Sequence, residues 1–462
     1  MRGWTRRRML ITTASAAPLI STVPTASTAS AAGRPKRDGG PPGRSPGERA
    51  GRGDVASVLR ALPGLRVVEE RPGAESGDRF FVLGLRQRVD HTDPAAGTFE
   101  QRLTLLHTAV DRPMVLATTG YHAVLTPWRA EPTVLLGANQ LQIEHRYFGT
   151  SRPATLDHTH LTIRQAADDH HRVVRLFRDL YPGSWISAGG SKGGMAAVYH
   201  RRFHPHDVDG TVAYGAPNNV DDRDDSAYVR FLDSVGSAEH REAVQGAQRR
   251  ILLRRDEMVA RYEGWAAGAG DTFRLVGSAD KALEIAVVRA QFMFWQRAQA
   301  ADLAALPGPD ATSDELYDWL DRTTGLSLYA DSTARNYIPY WYQCGTQLGY
   351  PEVPAPHLTG LLRYRDHTRP RTFVPRDIPM RFDSTAMPDI DRWVRRRGSR
   401  LLFVNGTMDP SVAEPFRPGG PDSRVLHVPG GNHSAKIENL PPADRAQARA
   451  TLARWARCQG VF

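Results

Sequence analysis

The stretch Gly189-Gly190-Ser191-Lys192-Gly193-Gly194 contains G-x-S-x-G, the pattern of a serine carried on a tight turn between a strand and a helix. A serine hydroxyl is a weak nucleophile until a neighbouring base takes its proton, so the motif needs a base and an acid that orients the base. Asp409 in Asn405-Gly406-Thr407-Met408-Asp409-Pro410 and His433 in Pro429-Gly430-Gly431-Asn432-His433-Ser434 are the candidates. The chemistry of such a set is acyl transfer: Ser191 attacks a carbonyl carbon, His433 carries the proton, and Asp409 fixes the imidazole tautomer. The negative charge that then develops on the carbonyl oxygen needs two backbone N–H donors. Lys192, directly after the nucleophile, is expected to supply one; Tyr121 in Thr119-Gly120-Tyr121 is the candidate for the second. Each residue also has a plainer reading: a glycine-rich turn with a bystander serine, an Asp-Pro turn, and a surface-loop histidine.

These residues can meet only if the elements that carry them end side by side. Phe80 to Leu85 and Thr98 to Leu103 read as paired strands around the turn Asp93 to Gly97. Pro113 to Thr118 and Gln140 to Glu144 read as short, doubly covered strands. Thr162-x-x-Gln165 is a capping box that opens a helix with apolar positions Ile163, Ala166, Ala167, Val174 and Phe177; Pro182-Gly183 stops it. Trp185 to Ala188 is a strand that runs into the serine turn, Met195 to Arg202 looks helical, and Gly210 to Tyr214 is one more strand. This alternation predicts a parallel sheet with right-handed crossovers. Helical patterns then replace it: Ser237 to Tyr262, Asp280 to Arg297 and Ser313 to Leu320. Strands resume at Arg400 to Gly406 and Arg424 to Pro429, and Pro442 to Arg457 closes as a helix. Asp409 and His433 each follow a late strand, and the order Ser, Asp, His is that of α/β-hydrolases. The fold class is therefore α/β, an α/β-hydrolase with a mostly parallel central sheet and an inserted all-helical cap.

The chain has 462 residues, 40% of them apolar, which excludes collagen, coiled coil and disorder as its main class. Its net charge of +10 invites a polyanion partner. However, residues 1–53 hold ten basic and two acidic residues, so nearly all of the excess lies ahead of the globular part and a nucleic-acid partner is not expected. Thr5-Arg6-Arg7-Arg8-Met9-Leu10, the uncharged run to Ala31 and the ending Ala29-Ser30-Ala31 read as a twin-arginine export signal rather than a membrane anchor. The expected product is secreted, without stable membrane association. Boundaries are placed at 1–31 for the signal, 32–53 for a disordered linker or pro-segment, 54–217 and 365–462 for the two parts of the hydrolase body, and 218–364 for the cap. Cys344 and Cys458 either pair after export or stand as two buried thiols.

Val89-Asp90-His91, Thr98-Phe99-x-Gln101-Arg102, Glu144 to Ser151, the elbow Gly189 to Met195, and Gly406-x-x-Asp409-Pro410 together resemble serine peptidases that cleave after proline. The match is to the clan of the lysosomal prolyl carboxypeptidases and, closer, to secreted actinobacterial peptidase family S37. The resemblance implies a Ser191, Asp409, His433 triad under a helical cap and no cofactor or metal. It also implies peptide substrates that lose short N-terminal tri- or tetrapeptides, with proline before the scissile bond. Thr119-Gly120-Tyr121 departs from the lysosomal relatives, which carry a Glu-containing glycine-rich loop there, so their substrate recognition does not carry over. The alternatives are an exported esterase with the same triad and a non-catalytic binding protein on a hydrolase scaffold.

Other residues are ambiguous. Tyr337, Pro339, Tyr340, Trp341 and Tyr342 line a proline-sized pocket or form cap core. Glu144 binds a substrate ammonium or pairs with Arg146 or another arginine. His158, His160, His170 and His171 fit no metal-ligand spacing and read as a solvated helix face and its approach. Lys192 and Lys436, beside the proposed nucleophile and base, either give the site a positive field or stand there by chance.

Overall fold

In Met114–Thr118 successive side chains feed opposite layers of the molecule, as the period of two in a strand requires. Leu116 packs with Leu141, Ile143, Val173, Val174 and Phe177, while its neighbour Val115 packs with Ile186, Val212, Leu402, Leu452 and Trp455. The computed structural model, which describes residues 54–365 and 368–458, thus has a central sheet with a helix-covered core on each face.

The sheet has nine strands: β1 (Leu65–Pro72), β2 (Arg79–Arg88), β3 (Thr98–His107), β4 (Met114–Thr118), β5 (Asn139–Ile143), β6 (Trp185–Gly190), β7 (Gly210–Tyr214), β8 (Leu401–Gly406) and β9 (Arg424–Val428). Their spatial order is β1-β2-β3-β5-β4-β6-β7-β8-β9. β5 through β9 run parallel, and β1 to β3 add an antiparallel flank in which Leu85 faces Gln101. This is the α/β-hydrolase arrangement expected from the alternation of elements. β6, β7 and β8 are adjacent, so the residues that follow their C-terminal ends share one edge of the sheet.

The helix Ile163–Phe177 buries the predicted stripe Ile163, Ala166, Ala167, Val174 and Phe177. Only half of its capping box forms: Thr162 accepts from the Gln165 amide, whereas the Gln165 side chain turns to Asp90 and the His91 amide. Between β7 and β8 the described chain is helical and has its own apolar core around Leu283, Ala286, Val287, Trp295, Leu316 and Leu320. The helical pattern from Ser237 to Tyr262 divides into two helices, Ala238–Leu253 and Arg255–Ala269. Tertiary contacts outweigh helix propensity at the break. Arg254 leaves helical geometry and donates to the Ala311 carbonyl, and Arg255 turns inward to Asp280 and Glu284.

Both cysteines are free thiols, Cys344 buried and Cys458 half-buried. The export signal and linker assigned to residues 1–53 lie outside the described residues. Among the described residues no helix is long and apolar enough to cross a membrane.

Arg146 holds the loop after β5. Fully buried, it pairs with Asp169 through Nε and Nη2, both at 2.7 Å, and donates to the carbonyls of Arg88, Val89 and His160. Removing one partner of such a pair strands the other charge in the core. Arg146→Met is therefore expected to lower unfolding stability by about 3–5 kcal/mol, measured by urea titration.

Candidate active site

β6 delivers Ser191 onto a turn that an L-residue rarely adopts, with φ 54° and ψ −129°, and the helix Lys192–Phe203 begins at the next residue. Such a conformation costs of order 1–3 kcal/mol and persists only where its surroundings impose it. Here the Ser191 amide donates to the Tyr214 carbonyl at the end of β7 at 2.8 Å. A Cβ on Gly189 would stand 2.5 Å from the Gly193 carbonyl, and one on Gly193 would stand 2.5 Å from the Thr118 oxygen. The two glycines of the motif are thus demanded by the approach of strand, helix and β4 to one another. Thr118 ties the three by donating to the carbonyls of Gly193 and Ala188.

Asp409 and His433 meet past the ends of β8 and β9. His433 Nδ1 lies 2.7 Å from Asp409 Oδ2. Asp409 is fully buried, and its Oδ1 accepts from the Ser411 amide at 3.0 Å, so the Asp-Pro turn and the bond to imidazole are formed by one carboxylate. His433 Nε2 has no hydrogen bond among the described residues. Gly215, one residue past the Tyr214 carbonyl that holds Ser191, lies against the pair: a Cβ there would stand 3.0 Å from His433 Nδ1 and 3.1 Å from Asp409 Oδ2. Ser191, Asp409 and His433 are brought to one edge of the sheet by β6, β8 and β9.

The helix Ala279–Arg297 braces this pair, a role the sequence did not reveal. The Gln296 carbonyl accepts from the His433 amide at 3.0 Å, and the Asn432 side chain donates to the carbonyls of Arg297 and Ala298. The Gln296 side chain donates to Ser411 Oγ at 2.6 Å, beside the Asp409 turn.

Lys192 is buried and its Nζ donates to the Gly120 carbonyl at 2.6 Å, lying 5.3 Å from the Tyr121 ring centroid and 5.2 Å from that of Phe148. Gly120 has no room for a side chain, since a Cβ would meet Lys192 Cβ at 2.5 Å. The ammonium therefore tethers the Thr119–Tyr121 loop to the residue after Ser191, the two stretches expected to carry the oxyanion donors. As the first residue of its helix, Lys192 has an amide without an intrahelical acceptor. No acid pairs with the ammonium among the described residues, and burial pushes its pKa down to about 7. Lys436 instead uses its backbone amide to bind Asn439 Oδ1.

The other candidates are placed as follows. Glu144 is fully buried and accepts from the amides of Ala123, Thr150 and Ser151 and from Ser151 Oγ, with Arg102 at 3.5 Å. It staples two loops, and its arginine is Arg102, whereas Arg146 pairs with Asp169. Tyr337 and Tyr340 pack edge-on against the Tyr121 ring at 5.8 and 5.5 Å, while Trp341 and Tyr342 are buried in the helical core. His171 joins His204 and Asp207 with ligating atoms within 4.8 Å of one another. The two imidazoles stack at 4.0 Å and 11°, so their in-plane lone pairs run in nearly parallel planes instead of converging.

A family profile described as PS-10 peptidase S37 matches residues 50–461. The chain is 47% identical over 407 residues to the prolyl tri/tetrapeptidyl aminopeptidase of Streptomyces mobaraensis, covering 87% of this chain and 85% of that protein. It is 25% identical over 491 residues to the serine protease vicPb of Bipolaris victoriae, covering 83% and 89%. Against the lysosomal Pro-X carboxypeptidase of Mus musculus the identity is 32% over 160 residues, 30% of this chain and 32% of the other.

The buried ammonium yields a test of its own. The unfolded chain keeps the Lys192 proton up to the ordinary value of 10.5, whereas the folded chain releases it near 7. Between those values the unfolded state binds more protons, so this residue makes stability rise with pH. Lys192→Met is accordingly expected to gain stability over the parent below pH 7 and to lose that advantage as pH approaches 10. Melting temperatures of both proteins between pH 5 and 10 measure the difference.

Proposed function

As the chain belongs to peptidase family S37 and is a serine peptidase, we propose that it releases tri- and tetrapeptides from peptide N-termini by cutting after proline. The observation that carries the chemistry is the strained Ser191 turn held on Tyr214, with the Asp409–His433 pair packed against the next residue, Gly215. The substrate class is supported by the printed activity of the Streptomyces relative.

In the proposed mechanism His433 Nε2 takes the Ser191 proton as Oγ bonds to the carbonyl carbon of the scissile peptide. Asp409 Oδ2 holds Nδ1–H and offsets the charge of the imidazolium. The carbonyl oxygen, now an oxyanion, lies on the amides of Lys192 and Tyr121, whose spacing the Lys192–Gly120 tether preserves. When the tetrahedral centre collapses, the C–N bond breaks, the downstream chain leaves as an amine with the proton from His433, and the acyl group stays on Ser191. Water, deprotonated by His433, then repeats the sequence and frees the N-terminal fragment.

The tyrosines at 121, 337 and 340 offer flat apolar faces of the size of a pyrrolidine ring. The helical segment 218–364 is proposed to act as the cap, admitting a chain end more readily than a chain middle. Residues 1–31 are proposed to direct export and to be removed after Ala31, which the N-terminal sequence of protein recovered from culture medium would check.

Digestion of a peptide library followed by mass spectrometry is the deciding experiment. N-terminal fragments of three and four residues ending in proline are expected; turnover of p-nitrophenyl esters without any peptide cleavage would sink the reading. Ser191→Ala is expected to abolish adduct formation with a fluorophosphonate, and Asp409→Asn to lower kcat by about 10³–10⁴ through loss of the correct tautomer.

A further inference from the structure

Arg297 is a cation that the fold does not use. It ends the helix that braces His433, and its backbone carbonyl holds the Asn432 side chain at 2.8 Å, so the residue stands beside the catalytic base. Its guanidinium has no ion pair or hydrogen bond among the described residues, and Nη2 is shielded from solvent without a partner. Buried donors are ordinarily satisfied, and a stranded one costs about 1–3 kcal/mol, more when charged. Two fully paired buried arginines show the contrast, Arg146 on Asp169 and Arg255 on Asp280 and Glu284.

No carboxylate pairs with it among the described residues. Arg289, two turns earlier on the same helix, repels it from a cage in which its Cζ lies 5.2 Å from the Trp341 ring, 5.3 Å from Tyr350 and 5.8 Å from Tyr329. Burial first, and this like charge with it, push the Arg297 guanidinium below its ordinary value. Its charge acts on the Tyr337 hydroxyl, whose ring packs on Tyr121 in the proposed oxyanion loop. Arg297 thus meets the His433 loop through its backbone and Tyr337, the neighbour of Tyr121, through its charge.

Resting on the peptidase reading, we propose that Arg297 binds a main-chain carbonyl oxygen of the peptide next to the scissile bond. Two guanidiniums repel the terminal ammonium of an aminopeptidase substrate, whereas a main-chain carbonyl is present in every peptide whatever its sequence. A guanidinium donates two parallel N–H groups and so fixes orientation as well as position. Arg289 stays in its aromatic cage and supplies the charge that keeps Arg297 from withdrawing into the helical core.

The test compares the parent with Arg297→Met and Arg297→Lys in the full chain. Two rates are measured: cleavage of a tripeptide anilide ending in proline, and phosphonylation of Ser191 by a small fluorophosphonate that has no main chain to hold. In Arg297→Met, kcat/KM for the peptide is expected to fall at least tenfold further than the phosphonylation rate, with most of the loss in KM. Arg297→Lys should fall between the two. The melting temperature should hold or rise in Arg297→Met, because no partner is stranded. Peptide kinetics within twofold of the parent overturn the proposal; so does an equal fall in both rates, which would mean action through the His433 loop, or a sharp drop in melting temperature, which would mean a scaffold role. A parent that cleaves no peptide overturns the peptidase reading and this inference with it, whereas an active parent beside an undiminished variant overturns the inference alone.

Discussion

The backbone of Ser191 is held at positive φ, and the surrounding architecture can be read as what that single residue requires. The turn cannot relax because its amide is fixed on Tyr214, its flanking glycines touch Thr118 and each other, and its helix starts without a linking residue. β4, β6 and β7 must therefore lie within contact of one another in the order the parallel sheet supplies. The same Tyr214-Gly215 segment that anchors the serine presses on the Asp409–His433 pair, so Ser191 and His433 are referred to one piece of backbone. A glycine at 215 is what lets the pair approach that closely.

Buried charge is treated in two ways. Several buried ions are matched: Arg146 with Asp169, Arg255 with Asp280 and Glu284, and Glu144 with three amides, a hydroxyl and Arg102. These satisfied groups fix loops and helices against each other, and breaking them would cost stability. Near Ser191 and His433, among the described residues, Lys192 has a single carbonyl and two ring faces, and Arg297 has no side-chain partner. Both cations are left with unused attraction for negative charge, in the region where the proposed reaction creates it. The scaffold thus bears an electrostatic cost locally that its other ion pairs do not share.

How far the sequence revealed this depends on how local the determinants were. β7, and the strand ends before Asp409 and His433, stand where the apolar runs and glycines place them, because short buried strands carry their own punctuation. The elbow was legible for the same reason: Gly189, Ser191 and Gly193 are neighbours in the chain. β1 escaped notice because its pattern is mostly exposed, with Leu65 its one buried residue. The break at Arg254 was hidden because partners distant in sequence impose it. Gln296 and Arg297 were invisible as site residues, since they end an ordinary helix pattern and acquire a role only where that helix crosses the His433 loop. The orphaned Arg297 nitrogen is likewise a fact about surroundings, and no spacing in the chain announces it.

That crossing also links the helical segment to the His433 loop. The helix Ala279–Arg297 packs through Leu283, Ala286 and Val287 into the core of the helical segment, yet its last turn holds the His433 amide and the Asn432 side chain. Gln296 reaches on to Ser411, beside the carboxylate that orients the imidazole. A shift of this segment large enough to open the catalytic edge would pull on His433 and on the Asp409 turn together. The position of the helical segment and the geometry of the Asp409–His433 pair are in this way mechanically coupled.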